Sequence, residues 1–203
     1  MAQDKPLDVK RIQELLSDIE VLCYPEIDST NTEAKRLVKS GKKPPFLILA
    51  ETQSAGRGRL GRSFYSPSNT GIYMSLVLSE SLDSDSADIT SAAAVAVCKA
   101  AESLSGKSLG IKPVNDIYLD KKKICGILCE SVYDGTPASP VIIGVGMNVS
   151  TTLFPEDLPS AGSLNCDASR EELICEITKE LLFAVKVPLD TLMPYYNSHR
   201  AVL

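Results

Sequence analysis

The chain has 203 residues, of which 44% are hydrophobic and 23% are charged, as is typical of a globular protein, and we expect a single domain over residues 1–203. Its formal net charge of −5 argues against general binding to DNA or RNA, because a polyanion repels an acidic molecule. The sequence has neither the run of ~20 apolar residues that spans a membrane nor the apolar core of a signal peptide, so we expect a cytoplasmic protein without a membrane partner.

Hydrophobic periodicity predicts helices at residues 7–19, 87–104, 169–187 and 189–199. A further helix opens within Asp28–Glu33, where Thr30 and Glu33 fit a capping box, and it stops at Gly41. The predicted strands are residues 21–27, 46–51, 72–79, 109–112, 116–119, 123–133 and 141–149. A long polar loop covers residues 52–71, a turn covers 120–122, and a loop covers 134–140. Since strands mostly follow strands, this order predicts an α+β fold with a mixed or antiparallel sheet and helices on one side.

The six cysteines are scattered, mostly among apolar residues, and we interpret them as reduced core residues. Cys125 and Cys129 have no second pair to complete a structural zinc site. His199 is the single histidine, which argues against a serine or cysteine nucleophile activated by histidine.

The most informative segment is Gly56–Arg62, where glycines and arginines alternate as Gly-Arg-Gly-Arg-Leu-Gly-Arg between two predicted strands. Glycine lets backbone N–H groups approach a ligand closely, and arginine binds phosphate or carboxylate through paired hydrogen bonds. The alternatives are a solvated basic turn and an arginine-glycine nucleic-acid segment, although such segments usually repeat in disordered sequence. One copy framed by strands favours a loop that encloses an anion.

Two polar segments each allow a structural and a functional interpretation. Asp28-Ser29-Thr30-Asn31 is a helix cap, or it supplies hydroxyl and amide groups to a neutral polar ligand. Lys112-Pro113-Val114-Asn115-Asp116 is a turn, or it supplies a lysine that neutralises phosphate and a carboxylate, Asp116, that binds metal or acts as a general base.

Two glycine-containing strands raise the same choice. Lys123 begins a strand and could face a site, and Gly126 within that strand indicates close approach by a ligand or by backbone. Gly144-Val145-Gly146-Met147-Asn148 allows tight strand packing, or places Asn148 where it can bind a purine edge. It is not a dinucleotide fingerprint, because no helix with a third glycine follows.

Taken in order, these motifs resemble those of the biotin protein ligases. The matching series is Asp-Ser-Thr-Asn, Gln53 with the glycine-arginine loop, Lys-x-x-Asn-Asp, Lys-x-x-Gly-Ile-Leu and Gly-x-Gly-x-Asn, from about Asp28 to Asn148. The resemblance implies a domain related to class II aminoacyl-tRNA synthetases, with a mixed sheet backed by helices. It also implies Mg²⁺ as a cofactor and ATP and biotin as substrates, which react to give biotinyl-5′-AMP and pyrophosphate. The implied partner is a biotin carboxyl carrier domain of acetyl-CoA carboxylase or a related carboxylase, and a lysine of that domain accepts the biotin. We expect a monomer or homodimer.

The resemblance also implies roles for individual residues. The predicted biotin-binding residues are Ser29, Thr30, Asn31, Gln53, Gly56, Arg57, Lys123, Gly126 and Leu128. The predicted ATP- or adenylate-binding residues are Arg57, Arg59, Arg62, Asn115 and Asn148, the last through adenine. The predicted catalytic residues are Arg59, Lys112, Asp116 and Lys123, and Asp116 is also the predicted Mg²⁺ ligand. Adenylation needs positioning and positive charge rather than a protein nucleophile, which suits a chain with one histidine and several converging cations.

The sequence departs from the family pattern in three respects. Pro113-Val114 stands where the family usually has tryptophan before Asn-Asp, and the chain contains no tryptophan. We expect neither an N-terminal DNA-binding domain, and hence no repressor role, nor the usual C-terminal SH3-like barrel. The alternatives are a lipoate ligase or octanoyltransferase, and a non-catalytic protein that binds biotin or its adenylate.

Overall fold

The computed structural model describes residues 5–79, 86–132 and 139–201, without the side chains of residues 86 and 87. Its helices are α1 (Val9–Leu15), α2 (Thr30–Lys39), α3 (Ser86–Ser105), α4 (Arg170–Ala184) and α5 (Leu189–Ser198). Its strands are β1 (Glu20–Ile27), β2 (Phe46–Gln53), β3 (Gly71–Leu78), β4 (Gly110–Lys112), β5 (Asp116–Leu119), β6 (Lys122–Ser131) and β7 (Val141–Asn148). A short 3₁₀ turn covers Arg59–Gly61. No helix within the described ranges is long and apolar enough to cross a membrane.

Within those ranges, the strands form one mixed sheet in the order β1-β2-β3-β7-β6-β5-β4. β1 and β2 are parallel, and every other neighbouring pair is antiparallel. This confirms the predicted α+β fold with a mixed sheet. Because β7 lies between β3 and β6, segments distant in the sequence meet in the middle of the sheet.

The prediction that all helices pack on one side of the sheet is wrong. Helices α1, α3, α4 and α5 cover one face, which carries Leu47 and Leu49 of β2. Helix α2 covers the other face, where Ala34 and Val38 pack on Phe46, Ile48, Val77 and Ile142. Side chains alternate between the faces of a strand, so the continuous apolar run in β2 requires cover on both sides.

The start of α2 also differs from the prediction. Its N-cap is Ser29 rather than Thr30, and the Ser29 side chain makes no capping hydrogen bond. The Thr30 backbone N–H donates instead to Gln53 Oε1 of β2, at 2.9 Å. The predicted capping box at Thr30 and Glu33 is therefore wrong, and the polar groups at this helix start are held by the sheet.

The remaining boundaries shift by a few residues. Strand β2 extends to Gln53, and β6 begins at Lys122, after a turn in which Asp120 and Lys121 have positive φ angles of 48° and 65°. Helix α2 ends before Gly41, which has a φ of 93°, as predicted for its stop. The described residues do not include Tyr133 of the predicted strand 123–133 or residues 134–138 of the predicted loop 134–140.

Candidate active site

The strand register places site residues side by side across the sheet. Lys112 pairs with Asp116, Asp116 with Gly126, and Gly126 with Gly146, in a row that crosses β4, β5, β6 and β7. Two residues along on the same face, Gly144 pairs with Ser75 of β3 on one side and with Leu128 of β6 on the other. Both rows lie on the face that α2 covers, and they form the floor of a cavity.

The cavity has a volume of about 400 Å³ and brings together most of the predicted site residues. The start of α2 and Gln53 form one end, and the glycine-arginine loop and residues 112–116 form the mouth. The predicted residues that line it are Ser29, Thr30, Asn31, Gln53, Arg57, Arg59, Arg62, Lys112, Asn115, Asp116, Lys123, Gly126 and Leu128. Gly56 and Asn148 are not among its lining residues.

Two floor glycines leave space that other side chains occupy. A Cβ atom on Gly144 would lie 2.8 Å from Asn31 Cγ, and one on Gly146 would lie 2.6 Å from a carbon of the Phe64 ring. Real Cβ atoms essentially never make contacts this short. The glycines at these positions therefore let Asn31 and Phe64 lie directly on the sheet.

The inner end of the cavity is neutral and closely hydrogen-bonded. Gln53 Oε1 accepts from the Thr30 backbone N–H at 2.9 Å and from its hydroxyl at 3.3 Å, while Gln53 Nε2 donates to Ser66 Oγ at 2.9 Å. The Ser75 hydroxyl lies 2.8 Å from Thr30 Oγ1 and 2.6 Å from Asn31 Oδ1. Ser29, Thr30 and Asn31 are buried, so their orientations are fixed in advance of any ligand.

The mouth of the cavity carries the cations. Lys123 Nζ lies 2.7 Å from Asp116 Oδ1, and Lys112 Nζ lies over the Tyr118 ring, 5.5 Å from its centroid. The backbone of Lys123 is held in turn by residues 160–162, since its N–H donates to Ser160 O at 2.7 Å and its carbonyl accepts from Gly162 at 2.9 Å. These contacts fix both lysines near the row of paired residues without burying their charge completely.

The segment 56–64, which we call the arginine loop, folds back on itself. Its base is closed by a hydrogen bond from the Phe64 N–H to Gly56 O at 2.9 Å, and Gly58 N–H donates to Arg62 O at 2.7 Å. At its tip Leu60 is 90% exposed and has a φ of 55°, in the left-handed region. The loop thus has a closed base and an exposed tip.

The arginines of the loop have different partners. Arg57 forms a two-pronged ion pair with Glu130 of β6, at 2.9 and 3.1 Å, and Arg59 Nη1 lies 3.4 Å from Asn115 Oδ1. Asn115 itself is anchored to β6, because its Nδ2 donates to Ile127 O at 2.7 Å. Hence side chains hold the loop at Glu130 through Arg57, at Asn115 through Arg59 and on Gly146 through the Phe64 ring.

Glu130 belongs to this region, although no motif in the sequence marks it. Its carboxylate accepts hydrogen bonds from Asn31, Lys35 and Arg57. In the sequence it is a single carboxylate near the end of a strand, where a solvent-exposed side chain is the ordinary expectation. Only the pairing of β6 with β7 and the position of α2 bring those three donors to it.

Asn148 lies next to the cavity floor and not on it. Its Nδ2 donates to Gly162 O at 3.0 Å, and its buried Oδ1 has no hydrogen-bond partner among the described residues. Gly56 is also buried, and a Cβ there would lie 2.8 Å from Ser66 Oγ. Asn148 therefore offers an unused acceptor, while Gly56 lets the base of the loop pack closely.

Two cysteines of the sheet, Cys23 of β1 and Cys129 of β6, are half-buried. Burial raises the pKa of the Cys129 thiol to about 11 and that of Cys23 to about 11. Both are therefore protonated at neutral pH, and a protonated thiol is a poor nucleophile. All six cysteines are free, as predicted.

Comparison with known proteins assigns the chain to a family. Residues 24–148, which carry all the motifs from β1 to β7, match the biotin/lipoate A/B protein ligase family. The chain belongs to that family. The prediction of family membership, which was drawn from the order of the motifs, is thus confirmed.

Relatives in this family include two curated proteins. The bifunctional ligase/repressor BirA of Bacillus spizizenii is 35% identical over 150 residues, which are 72% of this chain and 46% of the relative. The biotin–[acetyl-CoA-carboxylase] ligase of Paracoccus denitrificans is 32% identical over 144 residues, which are 70% of this chain and 57% of the relative. The chain thus spans about half the length of the curated relatives it matches.

A solved structure of the same family agrees in fold. The biotin protein ligase of Aquifex aeolicus, in complex with biotin and ATP, superimposes with a TM-score of 0.79 at 26% identity. The match covers 91% of this chain and 79% of that structure. The mixed sheet and its helices therefore share the fold of that biotin protein ligase.

Proposed function

We propose that the protein is an ATP-dependent biotin ligase. It joins the carboxylate of biotin to the α-phosphate of ATP and then transfers the biotinyl group to a lysine of a biotin carboxyl carrier domain. The observation that carries this proposal is the division of one cavity into a neutral, buried end and a cationic mouth. Biotin has the same division, with an uncharged urea ring at one end and a carboxylate at the other.

The neutral end suits the urea ring. The ring has two N–H donors and one carbonyl acceptor, and buried polar groups that are left unpaired are costly, so a matched site is selective. Gln53, Thr30 and Ser75 already orient one another, and the Ser29 side chain makes no capping hydrogen bond to α2. We assign Ser29 as the group that turns to the ligand, and Thr30, Asn31 and Gln53 as the groups that fix the shape of the pocket.

The mouth suits the reacting phosphate. In the first step a carboxylate oxygen of biotin forms a bond to the α-phosphorus, and the bond from that phosphorus to pyrophosphate breaks. Negative charge grows on the phosphate oxygens, and fixed cations stabilise such charge better than water does. Lys112, Lys123 and Arg59 line this part of the cavity, and we assign them that role, with Arg62 on the departing pyrophosphate.

An unpaired acceptor beside the cavity suits adenine. Asn148 Oδ1 is buried and has no partner among the described residues. The exocyclic amino group of adenine is a donor that would satisfy it, and a buried acceptor left unpaired costs about 1–3 kcal/mol. We therefore retain Asn148 as the adenine-binding residue, with access to it from the cavity as part of the proposal.

The available ligands suit a magnesium ion that arrives with the nucleotide. Among the described residues there is no group of three histidine, cysteine or carboxylate side chains that could hold a metal without help. Mg²⁺ usually binds through one or two carboxylates and substrate phosphates, and Asp116 is a carboxylate that lines the cavity. Bound there, the ion would shield the triphosphate charge, and Asp116 would exchange part of its contact with Lys123 for the metal.

In the second step the acceptor lysine, which first loses one proton to solvent, attacks the acyl carbon of the adenylate as a neutral amine. A new C–N bond forms, the C–O bond to AMP breaks, and the nitrogen loses a second proton and keeps the third as the amide N–H. Asp116 is the carboxylate at the mouth that can accept the second proton, after Lys123 has moved toward the phosphate. The exposed tip of the arginine loop leaves this side open to a carrier domain.

The test is biotin-dependent release of pyrophosphate from Mg-ATP, with and without an apo biotin carboxyl carrier domain. Without the carrier we expect one equivalent of pyrophosphate per protein chain. With the carrier we expect continuous release of pyrophosphate and transfer of biotin to the carrier. Lipoate and octanoate run in parallel should give no release, and release with them instead would identify a lipoate ligase. Biotin binding without any release would identify a binding protein. A cytoplasmic location and a monomer or homodimer remain predictions.

A further inference from the structure

Glu130 joins three parts of the molecule that surround the cavity. It lies on β6 and accepts from Lys35 Nζ of α2 at 2.6 Å and from Asn31 Nδ2 of α2 at 2.9 Å. It also accepts hydrogen bonds from both terminal nitrogens of Arg57, at 2.9 and 3.1 Å. Its side chain is 17% exposed, so the carboxylate is well shielded from water and nearly saturated with donors.

The geometry points to Glu130 as a positioning residue. Its carboxylate fixes Arg57 and thereby holds the arginine loop over the cavity. The same carboxylate fixes Asn31 at the neutral end. This inference deepens the proposed function and rests on it for its kinetic part. Glu130 does not line the cavity, so it acts through these two residues and not on a substrate.

The charges around Arg57 support this role. Its guanidinium is paired in the two-pronged geometry that gives an arginine–carboxylate contact both strength and direction. The resemblance assigns Arg57 to the biotin carboxylate and phosphate, but that charge is already balanced by Glu130. Arg59 and Arg62, which lie further along the loop, have no carboxylate partner among the described residues and remain available to an anion.

The fold of the loop transmits the position of Arg57 to its neighbours. Arg57 pairs with Ser63 across the loop, between the Gly56–Phe64 and Gly58–Arg62 hydrogen bonds. A residue fixed within this base sets the direction in which the exposed tip leaves the sheet. Releasing Arg57 would leave the tip of the loop attached through a single 3.4 Å contact from Arg59 to Asn115, while the Phe64 ring still holds the base of the loop on Gly146.

The ionisation of Glu130 is consistent with this arrangement. Burial raises its pKa, but hydrogen bonds from Lys35, Asn31 and Arg57 together outweigh that effect and leave the pKa below its ordinary value of 4.5. The carboxylate is therefore charged at neutral pH, as the pairing with Arg57 requires.

The experiment compares Glu130→Gln, Arg57→Gln and the double variant with the wild-type chain. Glutamine keeps the size of Glu130, but its amide nitrogen cannot accept from Arg57. The matched control is Lys35→Gln, which removes another donor to the same carboxylate without touching the loop. Two quantities are measured: hydrogen exchange at the Gly58 and Phe64 amides, and the rate at which preformed biotinyl-5′-AMP dissociates. A melting temperature for each variant checks that it is folded.

We expect Glu130→Gln and Arg57→Gln each to raise both rates about tenfold, and the double variant to match Glu130→Gln, because the Arg57–Glu130 pair is already lost in either single variant. Lys35→Gln should stay within about twofold of the wild-type rates. Additive effects, unchanged loop exchange in Glu130→Gln, or an equal effect of Lys35→Gln would each overturn the inference. If the wild-type chain forms no adenylate, the proposed function fails, and the exchange measurement alone still decides whether Glu130 holds the loop.

Discussion

The two ends of the cavity are built in opposite ways. At the inner end Ser29, Thr30 and Asn31 are 2%, 4% and 4% exposed, and Gln53 and Ser75 hold Thr30 and Asn31 in place. At the mouth the arginine loop carries its charge on an exposed segment, whose Arg57 and Arg59 reach Glu130 and Asn115 and whose base packs through Phe64 on Gly146. One end is part of the core, and the other rests on its surface.

The difference separates recognition from chemistry. A neutral ligand group is selected by hydrogen-bonding partners whose positions are set before it arrives, and burial makes a mismatch costly. Phosphate chemistry needs charges that can close over a large substrate and then release its products. Substitutions at the inner end should therefore change binding and stability together, whereas substitutions in the loop should change kinetics with little effect on stability.

The largest effect is expected from Lys123→Ala. Loss of a fixed cation at the reacting phosphate should lower the rate of adenylation about a thousandfold, with a small change in melting temperature. The measurement is biotin-dependent pyrophosphate release. The matched control is Lys122→Ala, since Lys122 is exposed and contacts only the Pro159 carbonyl, at 2.7 Å, among the polar groups described. Full pyrophosphate release by Lys123→Ala would remove Lys123 from the mechanism.

The next effect is expected at the inner end, from Gly144→Ala. The new Cβ would lie 2.8 Å from Asn31 Cγ, so Asn31 must move and lose its contacts with Ser75 and Leu128. We expect a loss of about 2 kcal/mol in the free energy of unfolding and biotin binding about 100-fold weaker. Chemical denaturation and titration calorimetry measure the two quantities.

The KM for ATP is the internal control for this variant, because the proposed function places ATP at the other end of the cavity. It should stay within about twofold of the wild-type value. An unchanged affinity for biotin, with the protein destabilised as expected, would show that the neutral end is not where biotin binds.

A smaller effect is expected in the loop, from Arg59→Ala. Arg59 is exposed and makes one long hydrogen bond, to Asn115, so its removal should leave the melting temperature unchanged. Biotinyl-5′-AMP should dissociate about tenfold faster, because one charged contact to its phosphate is lost. Rapid-mixing measurements of adenylate release, with biotin affinity in the absence of ATP as the control, distinguish a loop effect from damage to the inner end. Wild-type release would exclude Arg59 from the adenylate site.

The smallest effect is a dependence of stability on pH that comes from Glu130. Its pKa is lower in the folded chain than the ordinary value of 4.5, so the unfolded chain takes up this proton first as the pH falls. Glu130 therefore contributes stability above pH 4.5 that is lost as the pH falls through the folded pKa. The difference in unfolding free energy between wild type and Glu130→Gln should be constant above about pH 5.5 and shrink below 4.5. A difference that grows on acidification would contradict this assignment.

The sequence predicted the elements of the fold more reliably than the partners of its side chains. Apolar runs such as Phe46–Glu51 and Val141–Val149 are buried on both faces in the sheet, and such runs have few alternatives to a central strand. The capping box at Thr30 and Glu33 was wrong because its spacing is a local pattern, and Gln53 of β2 outcompetes the local cap. The single-sided arrangement of helices was wrong because periodicity does not say which face α2 covers.

The chemistry of the site was predictable from residue type, because few segments of a sequence have these compositions. Gly56–Arg62 combines positive charge with backbone freedom, and Ser29–Asn31 places an amide and hydroxyls at a helix start. Their convergence could not be predicted, because β3, β6 and β7 meet by long-range pairing that leaves no local signal in the sequence. That pairing decides that Asn31 lies on Gly144 and that Arg57 reaches Glu130. The sequence by itself determined which groups the protein has for binding an anion and a neutral polar ring, and the tertiary structure decided which of them face the cavity and which hold the others in place.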